Sequence, residues 1–503
     1  MASLQKLGPA FSMSSARIFK TLLISFVRWT GQDPVNRIGS ILFVALLFYS
    51  TLLPAQTASP PMAGPSRGRI RHVIIVSVDG LMPAVYVSPD AYGLQLPTLR
   101  EMARNGAWSQ GARSVFPSVT YPSHTSIATG TNPLTHGIFS NIAFDPLGKN
   151  NGGWRWYTED IQAPTLWDAA RARGLTTALV SWPVTVGARA TAVVPEIWRA
   201  GTEDDVKLIR ALATPGILEA VEKRFPRFRA GYTPPRVKDE SLTDIAVHLI
   251  ETLRPNLLML HIFQVDNEQH AGGPFSARAI AAIENAERQI DRVITAAKNA
   301  GIWRETVLLV VSDHGFAPIS RRVRVGVLLA QKGLVTLNPR NRVSDWKASV
   351  ASNGGHAYVY LKDPNDTATS KTLLDILLPL AGKPASGIRR IYRQDEIRAK
   401  GGNPSAFLAL EAAEGFTIGE GYTGEYLSAS PFAGTHGYDP DRPEMWASLL
   451  VYGPSIAPGK IESAKLIDVA PTVAHWLDLK MEKAEGTPLQ IQLRASPESL
   501  INR

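Results

Sequence analysis

The sequence of 503 residues contains no cysteine. This absence excludes disulfide bonds, thiolate metal sites and cysteine nucleophiles, so any metal ion must be held by His, Asp or Glu. Charged residues are scarce at 19%, whereas hydrophobic residues make up 45%. Such a balance is typical of a large globular protein with a buried core, and it excludes a disordered chain.

Long hydrophobic runs are also lacking near the start of the chain. The most apolar segment there, residues 41–49, is shorter than the ~20 residues that a spanning helix usually needs. Basic residues precede this segment, and the small and polar residues 54–59 follow it. The order is typical of a secretory signal and predicts a targeting segment over residues 1–58, followed by a linker at 59–69. The alternative is an uncleaved membrane anchor. We therefore expect a periplasmic or secreted protein, or one anchored to the membrane on its extracytoplasmic side.

The net charge of +9 is concentrated near the start of the chain. The first 69 residues contain seven basic residues and one acidic residue, so only about +3 remains for the rest. Such a small excess gives little attraction for a polyanion. We therefore expect no stable complex with nucleic acid.

Five short apolar runs, rich in β-branched residues, have the composition of strands that are buried on both faces. They cover residues 72–78, 177–181, 257–262, 307–311 and 447–452. Helical patterns lie between them, and the clearest is the amphipathic pattern over residues 276–299. The alternation predicts an α/β fold whose mostly parallel central sheet is sandwiched by helices.

Changes in composition suggest the domain boundaries. The ordered pattern begins near residue 70, and we predict a catalytic domain over residues 70–480. Residues from about 320 to 435 are richer in Gly, Asn, Lys and charge, which indicates a smaller cap insertion within that domain. Residues 481–503 are polar and are predicted to form a peripheral C-terminal tail.

Carboxylate and imidazole side chains follow three of the predicted strands. Asp79 comes directly after the first strand, Asp266 and His270 follow the third, and Asp313 and His314 follow the fourth. Ligands bind at the carboxyl ends of the strands in open parallel sheets, so these groups should lie near one another. Carboxylates in such proximity resist joint ionisation, and a divalent cation would relieve their repulsion. His and carboxylate ligands without sulfur suit zinc, with manganese or another divalent ion as alternatives.

Three further features belong to the same chemistry. Asp266 and His270 are four residues apart, so one turn of helix would place both on one face. His436 lies in a glycine-flanked loop and is either a metal ligand or an exposed loop residue. Thr120 precedes Pro122 and a helix of small residues, where exposed amides would favour a phosphate. A hydroxyl beside a metal ion becomes a usable nucleophile, although an ordinary loop and helix cap is the alternative.

In this order and context, these residues resemble the alkaline phosphatase superfamily, most closely its nucleotide pyrophosphatase/phosphodiesterase branch. The resemblance spans about residues 70–478. It implies an alkaline-phosphatase-like fold and a zinc-dependent hydrolase of phosphodiester or pyrophosphate bonds in nucleotide-like substrates. The matching stretches are residues 78–80, 116–124, 129–130, 136–141, 266–270, 312–315 and 434–437.

The resemblance also implies a role for each site residue. Thr120 would attack phosphorus and form a phospho-threonine intermediate, while Asn141 and the Thr120 N–H would hold a phosphoryl oxygen. Tyr121 matches an aromatic residue that can stack on a nucleobase, with a ring packed in the core as the alternative. Two zinc ions per chain would be held by two sets of side chains: Asp266, His270 and His436 in one set, and Asp79, Asp313 and His314, near the Thr120 oxygen, in the other.

The residues around Thr120 separate some related families and leave others open. Sulfatases form an aldehyde from Cys or Ser within a C/S-x-P-x-R pattern, whereas this chain has Thr120 and, in place of the Arg, His124. Thr-dependent alkaline phosphomonoesterases and phosphonoacetate hydrolases share the threonine and both zinc ions, so they stay as alternatives. A catalytically silent homologue that binds metal and ligand is the non-enzyme alternative. In each catalytic case the expected partner is a small-molecule phosphate ester or nucleotide, or a phosphonate.

Overall fold

The structure is a computed structural model that describes residues 70–150, 153–198, 203–228, 232–233 and 236–494. The predicted targeting segment 1–58 and linker 59–69 lie outside the described residues, as does the end of the predicted tail, residues 495–503. Within the described ranges, every helix is too short or too polar to span a lipid bilayer.

The strands of the described part are numbered in chain order. They are β1 (His72–Val78), β2 (Ala107–Ser109), β3 (Ala112–Arg113), β4 (Thr177–Val180), β5 (Ala192–Val194), β6 (Tyr232–Thr233), β7 (Arg236–Val237), β8 (Leu257–Ile262), β9 (Thr306–Val311), β10 (Ala317–Val323), β11 (Val335–Leu337), β12 (Val343–Trp346), β13 (Ala348–Ser352), β14 (His356–Leu361), β15 (Ile388–Arg393), β16 (Leu408–Ala412), β17 (Gly415–Ile418), β18 (Leu427–Ala429), β19 (Gly434–Thr435), β20 (Leu449–Tyr452), β21 (Gly459–Ile461) and β22 (Ala464–Lys465).

The α-helices of the same part are also numbered in chain order. They are α1 (Ala84–Val87), α2 (Pro97–Asn105), α3 (Thr120–Thr129), α4 (Pro133–His136), α5 (Leu166–Ala172), α6 (Glu203–Leu212), α7 (Ile217–Arg224), α8 (Asp239–Leu253), α9 (Gln264–Gly272), α10 (Ala277–Asn299), α11 (Val325–Gln331), α12 (Thr367–Leu377), α13 (Gln394–Ala399) and α14 (Val469–Leu477). Short 3-10 turns cover Pro89–Tyr92, Thr158–Asp160, Trp303–Glu305, Leu378–Leu380, Pro384–Ser386, Pro443–Met445 and Leu466–Asp468.

The main sheet has eight strands in the order β21-β2-β20-β9-β1-β8-β4-β5. The five strands from β9 to β5 run parallel to one another, whereas β20 is antiparallel to both of its neighbours. All seven residues of β1, which lies between β9 and β8 in the parallel part, are buried. The predicted α/β fold with a mostly parallel central sheet is confirmed.

Helices cover both faces of this sheet, because parallel strands need crossover connections that pack back onto it. One apolar core lies between the sheet and α2, α8 and α10. A second core lies on the opposite face, against α3, α5 and α14. Alternate residues of β1 divide between them: Ile74 and Val76 enter the first core, and Val73 and Ile75 enter the second.

The elements predicted from the sequence occur with small differences at their ends. The strand expected over residues 177–181 ends at Val180, because Ser181 adopts a positive φ of 51°. The strand expected over residues 447–452 begins at Leu449, because Ala447 instead forms an isolated antiparallel bridge with Ala112. The long helix α10 begins after Ser276, whose side chain accepts a hydrogen bond from the Ala279 N–H.

Strands β13, β14, β15 and β16 form a separate antiparallel sheet. Strands β10, β17 and β18 belong to another, mixed sheet, in which β10 runs parallel to β17 and antiparallel to β18. Together with α11 and α12 they surround an apolar core of their own. Strands β11 to β18 lie within residues 320–435, the range that the sequence predicts as a cap. Strand β10 also pairs with β19, which leads directly to His436.

We expect Leu258→Ala to lower the free energy of unfolding by about 2–5 kcal/mol, because Leu258 is fully buried in β8 and truncation leaves a cavity. Urea denaturation followed by far-UV circular dichroism measures the change. The control is Leu493→Ala, since Leu493 is 49% exposed and its truncation should cost less than ~0.5 kcal/mol. Equal losses in the two variants would contradict the position of β8 in the core.

Candidate metal centre

Five of the six predicted side-chain ligands follow the carboxyl ends of three adjacent strands. In the sheet, β1 lies between β8 and β9. Asp79 follows β1, and Asp313 and His314 follow β9 after one residue. Helix α9 begins two residues after β8 and carries Asp266 and His270 one turn apart. The common direction of the strands therefore brings these side chains to one edge of the sheet.

Asp79, Asp313 and His314 form one cluster of side chains, here called the Asp79 group. One ligand atom from each residue lies within 4.8 Å of the others. The His314 Nε2 atom is 3.3 Å from Asp79 Oδ1 and 3.1 Å from Asp313 Oδ2. The other oxygen of Asp313 accepts a hydrogen bond of 3.0 Å from the Gly80 N–H. All three ligand residues are buried, so they face one another in a region with little water.

Asp266, His314 and His436 form a second cluster with the same spacing, here called the Asp266 group. The Asp266 Oδ1 atom is 3.6 Å from His436 Nε2 and 3.5 Å from His270 Nε2. The rings of His314 and His436 stack with their centroids 3.6 Å apart. The structure thus brings all six predicted metal ligands together. It differs from the predicted division because His314 also lies beside Asp266 and His436.

The three histidines present the same ring nitrogen to the carboxylates. In each ring Nδ1 lies 3.0–3.2 Å from a backbone carbonyl oxygen. Because a carbonyl oxygen only accepts, Nδ1 must carry the proton, and the neutral ring keeps its lone pair on Nε2. A hydrogen bond of this kind orients a histidine ligand for a metal ion. The donors are His270, His314 and His436, and the respective acceptors are Gly434, Gly315 and Ser118.

The residues present fit divalent metal ions. Four ligand atoms are buried without a hydrogen-bond partner in the described structure: Asp79 Oδ1, Asp266 Oδ1, Asp313 Oδ2 and His314 Nε2. Burial without a partner is costly for each polar atom, and such atoms are rare in folded proteins. Here they converge with lone pairs available, which is the arrangement that a bound cation would stabilise.

The pKa values show the same need for positive charge. Burial raises the pKa of Asp79 well above its usual value, and repulsion from Asp313 and Asp266 adds to the shift. Burial also raises the pKa of Asp266. Burial alone would lower the pKa of His314, but the neighbouring carboxylate of Asp313 raises it to about 9. In the absence of another cation, a proton on His314 would partly neutralise the negative charge of the carboxylates.

Thr120 is the first residue of α3 and is 6% exposed. Next to it, the Tyr121 N–H donates a hydrogen bond of 2.8 Å to Asn141 Oδ1. This contact orients the Asn141 amide and leaves its Nδ2 group available to donate to another acceptor. The structure therefore brings Asn141 to the N-terminus of the helix that Thr120 begins.

Tyr121 has no exposed surface. Its ring packs edge-on against Trp154, with centroids 5.2 Å apart, and belongs to a small apolar cluster with Ile138 and Val184. Burial, together with the nearby Glu196, raises the pKa of the Tyr121 hydroxyl well above its usual value. The ring is packed as a core residue, and this packing disfavours the stacking role that the resemblance implied.

Sequence analysis did not identify two charged residues behind the ligands. His261 Nε2 lies 3.1 Å from Asp79 Oδ2, and His261 Nδ1 lies 2.6 Å from Glu196 Oε2. Both side chains are almost fully buried. A histidine inside the otherwise apolar strand 257–262 was a usable signal for His261. Glu196 had no comparable signal, because it lies in a loop after β5 and in no recognisable motif.

A second buried histidine supports the start of α3. His124 Nδ1 donates to the Thr120 carbonyl oxygen at 2.8 Å, and its Nε2 accepts from Ser77 Oγ, also at 2.8 Å. Burial lowers the pKa of His124 to about 3, so the ring is neutral, as these two bonds require. His124 Nδ1 is 3.7 Å from Asp313 Oδ2. The ring therefore packs between the Thr120 backbone and a carboxylate of the Asp79 group.

Comparisons with known proteins identify the family of the chain. The model of the family "Type I phosphodiesterase / nucleotide pyrophosphatase" matches residues 73–439. The bis(5'-adenosyl)-triphosphatase of Pongo abelii is 23% identical over 453 residues, which cover 89% of this chain and 85% of the relative. Ectonucleotide pyrophosphatase/phosphodiesterase family member 1 of Homo sapiens is 24% identical over 270 residues, 52% of this chain and 25% of the relative.

Solved structures share the fold. Murine ectonucleotide pyrophosphatase/phosphodiesterase 5 superposes with a TM-score of 0.59 at 20% identity, covering 83% of this chain and 97% of that one. An inactive variant of the same murine protein, solved in complex with AMP, matches with the same TM-score at 19% identity. The predicted alkaline-phosphatase-like fold is confirmed. Because the family match extends over most of the chain, from β1 past His436, this protein belongs to the type I phosphodiesterase / nucleotide pyrophosphatase family.

Proposed function

We propose that this protein hydrolyses phosphodiester or pyrophosphate bonds in nucleotide-like substrates, with two zinc or similar divalent ions and a phospho-threonine intermediate on Thr120. The observation that carries the proposal is the convergence of four buried, unpartnered ligand atoms near the start of α3. Two relatives support the substrate class: one is named a bis(5'-adenosyl)-triphosphatase, and another was solved as an inactive variant with AMP.

Two sets of side chains would hold the ions. When bound, the ions would supply Lewis-acid stabilisation of the entering and leaving oxygens. The stacking of His314 on His436 keeps the two sets adjacent, so the ions could stabilise the entering and the leaving oxygen of one phosphoryl group at the same time. The sets are Asp266, His270 and His436 on the leaving-group side, and Asp79, Asp313 and His314 beside Thr120.

Thr120, the first residue of α3, would make the attack on phosphorus. Its Oγ1 atom forms a bond to phosphorus while the bond to the leaving oxygen breaks, and the hydroxyl proton ends on the departing group. Water then attacks the phospho-threonine, which restores the hydroxyl and releases the phosphomonoester. Asn141 Nδ2 and the backbone N–H groups at the start of α3 would hold a phosphoryl oxygen as its charge develops.

We also infer an extracytoplasmic site of action, periplasmic or secreted, from the targeting pattern in residues 1–58. A membrane-anchored protein is the alternative if that segment is retained. Nucleotide-like diesters outside the cytoplasm would then be the accessible substrates.

The substrate class is tested with three compounds at saturating zinc: a p-nitrophenyl ester of a nucleoside 5'-monophosphate, p-nitrophenyl phosphate and phosphonoacetate. We expect kcat/KM for the diester to exceed that for the monoester by at least ~10-fold, or ~1.4 kcal/mol of transition-state stabilisation. Faster cleavage of the monoester would instead indicate an alkaline phosphomonoesterase. Phosphate release from phosphonoacetate alone would indicate a phosphonate hydrolase, and no turnover of any compound would indicate a binding protein.

Asp313→Asn should remove about one divalent ion per chain, because it weakens one of the three charged or basic ligands of the Asp79 group. Bound metal is measured by elemental mass spectrometry after dialysis against buffer without metal. The matched control is Asp439→Asn, since Asp439 is also buried but is hydrogen-bonded to Tyr392 and paired with Lys400. Chelation of the wild-type protein should lower Tm, because an ion bound only to the folded state stabilises it. Equal metal content in both variants would argue against the Asp79 group as a metal site.

Thr120→Ala should lower kcat by ~10,000-fold or more while the metal content stays at the wild-type level, because the nucleophile is lost but the other ligands stay. Thr120→Ser should keep measurable turnover, since serine supplies a hydroxyl at the same place. Thr125→Ala is the control for loss of a buried threonine from α3; the Thr125 hydroxyl donates to the Tyr121 carbonyl oxygen. Wild-type turnover by Thr120→Ala would rule out Thr120 as the nucleophile.

A further inference from the structure

His261 lies between two buried carboxylates. Its ring is 1% exposed, and Asp79 and Glu196 are each 4% exposed. The ring nitrogens lie 3.1 Å from Asp79 Oδ2 and 2.6 Å from Glu196 Oε2. This row of three side chains runs from the loop after β5, across β8, to the end of β1. It lies directly behind the Asp79 group.

The two nitrogens of His261 distinguish it from the histidines that face the candidate ions. His270, His314 and His436 use Nδ1 for a backbone carbonyl and keep an Nε2 lone pair. His261 instead has a carboxylate oxygen at each nitrogen, so both nitrogens act as donors and no lone pair is left for a metal. His261 therefore acts on the site through Asp79.

The two carboxylate oxygens of Asp79 have different surroundings because His261 contacts only one of them. Oδ2 accepts from His261, while Oδ1 is buried without a hydrogen-bond partner, 3.3 Å from His314 Nε2. The hydrogen bond to Oδ2 holds the carboxylate with Oδ1 turned towards His314. Asp79 would therefore bind an ion through Oδ1 alone.

Glu196 fixes the orientation of the His261 ring. Its Oε2 atom accepts from His261 Nδ1 and lies 3.3 Å from Ser181 Oγ. The Ser181 carbonyl oxygen is 3.1 Å from the same His261 nitrogen. Ser181 itself has a positive φ of 51°, where the chain turns out of β4. The ring is thus held from the side opposite Asp79 by one charged and one backbone acceptor.

We propose that His261, oriented by Glu196, is a positioning residue that fixes Asp79 as a single-oxygen ligand and so strengthens divalent-ion binding by the Asp79 group. The inference rests on the proposed function only in requiring that this group bind a divalent ion. It is independent of which ester the enzyme cleaves. Hydrogen bonds to the ligands of a metal ion commonly contribute in this way, by setting ligand orientation before the ion arrives.

A purely structural role is the competing explanation, and the energetics argue against it. A buried ion pair is seldom better for stability than apolar side chains of similar volume, because both charges lose their water. The other five residues of β8 are apolar, so His261 is the exception within its own strand. A histidine between two carboxylates is therefore better explained by what it does for Asp79.

The test compares zinc affinity in His261→Ala with that of the wild-type protein. Full-length proteins stripped of metal are titrated with zinc in competition with a chromogenic chelator, and folding is checked by circular dichroism. We expect the affinity of one site to fall ~10- to 100-fold in His261→Ala. At zinc concentrations that saturate the variant, KM should stay near the wild-type value while kcat falls, because His261 is only 1% exposed and would act through Asp79.

The matched control is His136→Ala. His136 is also fully buried, and its ring nitrogens lie 2.9 Å from Ser126 Oγ and 3.1 Å from the Ile138 N–H, with no carboxylate at either. This variant should lose stability but keep wild-type zinc affinity. Zinc affinity that falls equally in His136→Ala and His261→Ala would overturn the proposal, because general destabilisation would explain both.

Glu196→Gln gives a second test that keeps the volume of the side chain and an acceptor for His261. It should weaken zinc binding less than His261→Ala does. If the alanine variant does not fold, the zinc affinity of Glu196→Gln tests the inference in its place. Wild-type zinc affinity in a folded His261→Ala or Glu196→Gln protein would overturn the inference while leaving the proposed hydrolysis intact. Weakened zinc binding in a protein that cleaves no diester would support the inference and overturn the proposed substrate class.

Discussion

The carboxylates of Asp79, Asp266 and Asp313 are the constraint on which the rest of the site depends. They lie near one another at the edge of the main sheet, and the region is largely closed to water. Burial and mutual repulsion disfavour three negative charges in such a place, as the raised pKa values of Asp79 and Asp266 show. Every neighbouring feature reduces this cost, whether it is a histidine, a backbone N–H or the ion that we propose.

The main sheet and the smaller sheet that contains β10 contribute different parts of this arrangement. Adjacent parallel strands deliver the three carboxylates, whereas His436 arrives from β19, which pairs with β10. The loop between β13 and β14 fixes the His436 segment, because the Gly355 N–H donates to the His436 carbonyl oxygen at 2.7 Å. Gly437 has a φ of 91°, and a side chain there would meet the Asn353 carbonyl oxygen. Gly437 is thus needed for the close approach of the loop between β13 and β14 to the His436 segment.

The part of the fold and site that the sequence predicts is the part that depends on local pattern. Strand β1 follows from an unbroken apolar run and helix α10 from helical spacing, and Asp79 and Asp313 follow from their position after buried strands. The pairing of Asp266 with His270 follows from the spacing of one helical turn. These features need no knowledge of how distant segments pack.

Contacts between segments far apart in the chain were not predictable in this way. In the sheet, β4 lies between β5 and β8. Glu196 therefore contacts His261 of β8 only because the loop after β5 extends past β4. The burial of Tyr121 depends on Trp154 and Val184, which come from separate loops. The motif that contains Thr120 identified the position of Tyr121, but only the tertiary neighbours of Tyr121 determine whether its ring faces a ligand or the core.

The same kind of long-range contact joins the segment around Thr120 to the candidate metal ligands. The His436 Nδ1–H donates to the Ser118 carbonyl oxygen, and His124 joins the Thr120 carbonyl oxygen to the Asp313 side. The backbone on both sides of Val119 is therefore held by residues of, or next to, the two ligand groups. In-line attack requires the hydroxyl and the ions to keep a fixed separation as charge develops. A helix N-terminus tied to the ligands keeps that separation better than an independent loop, since any movement of Thr120 must also move His436 or His124.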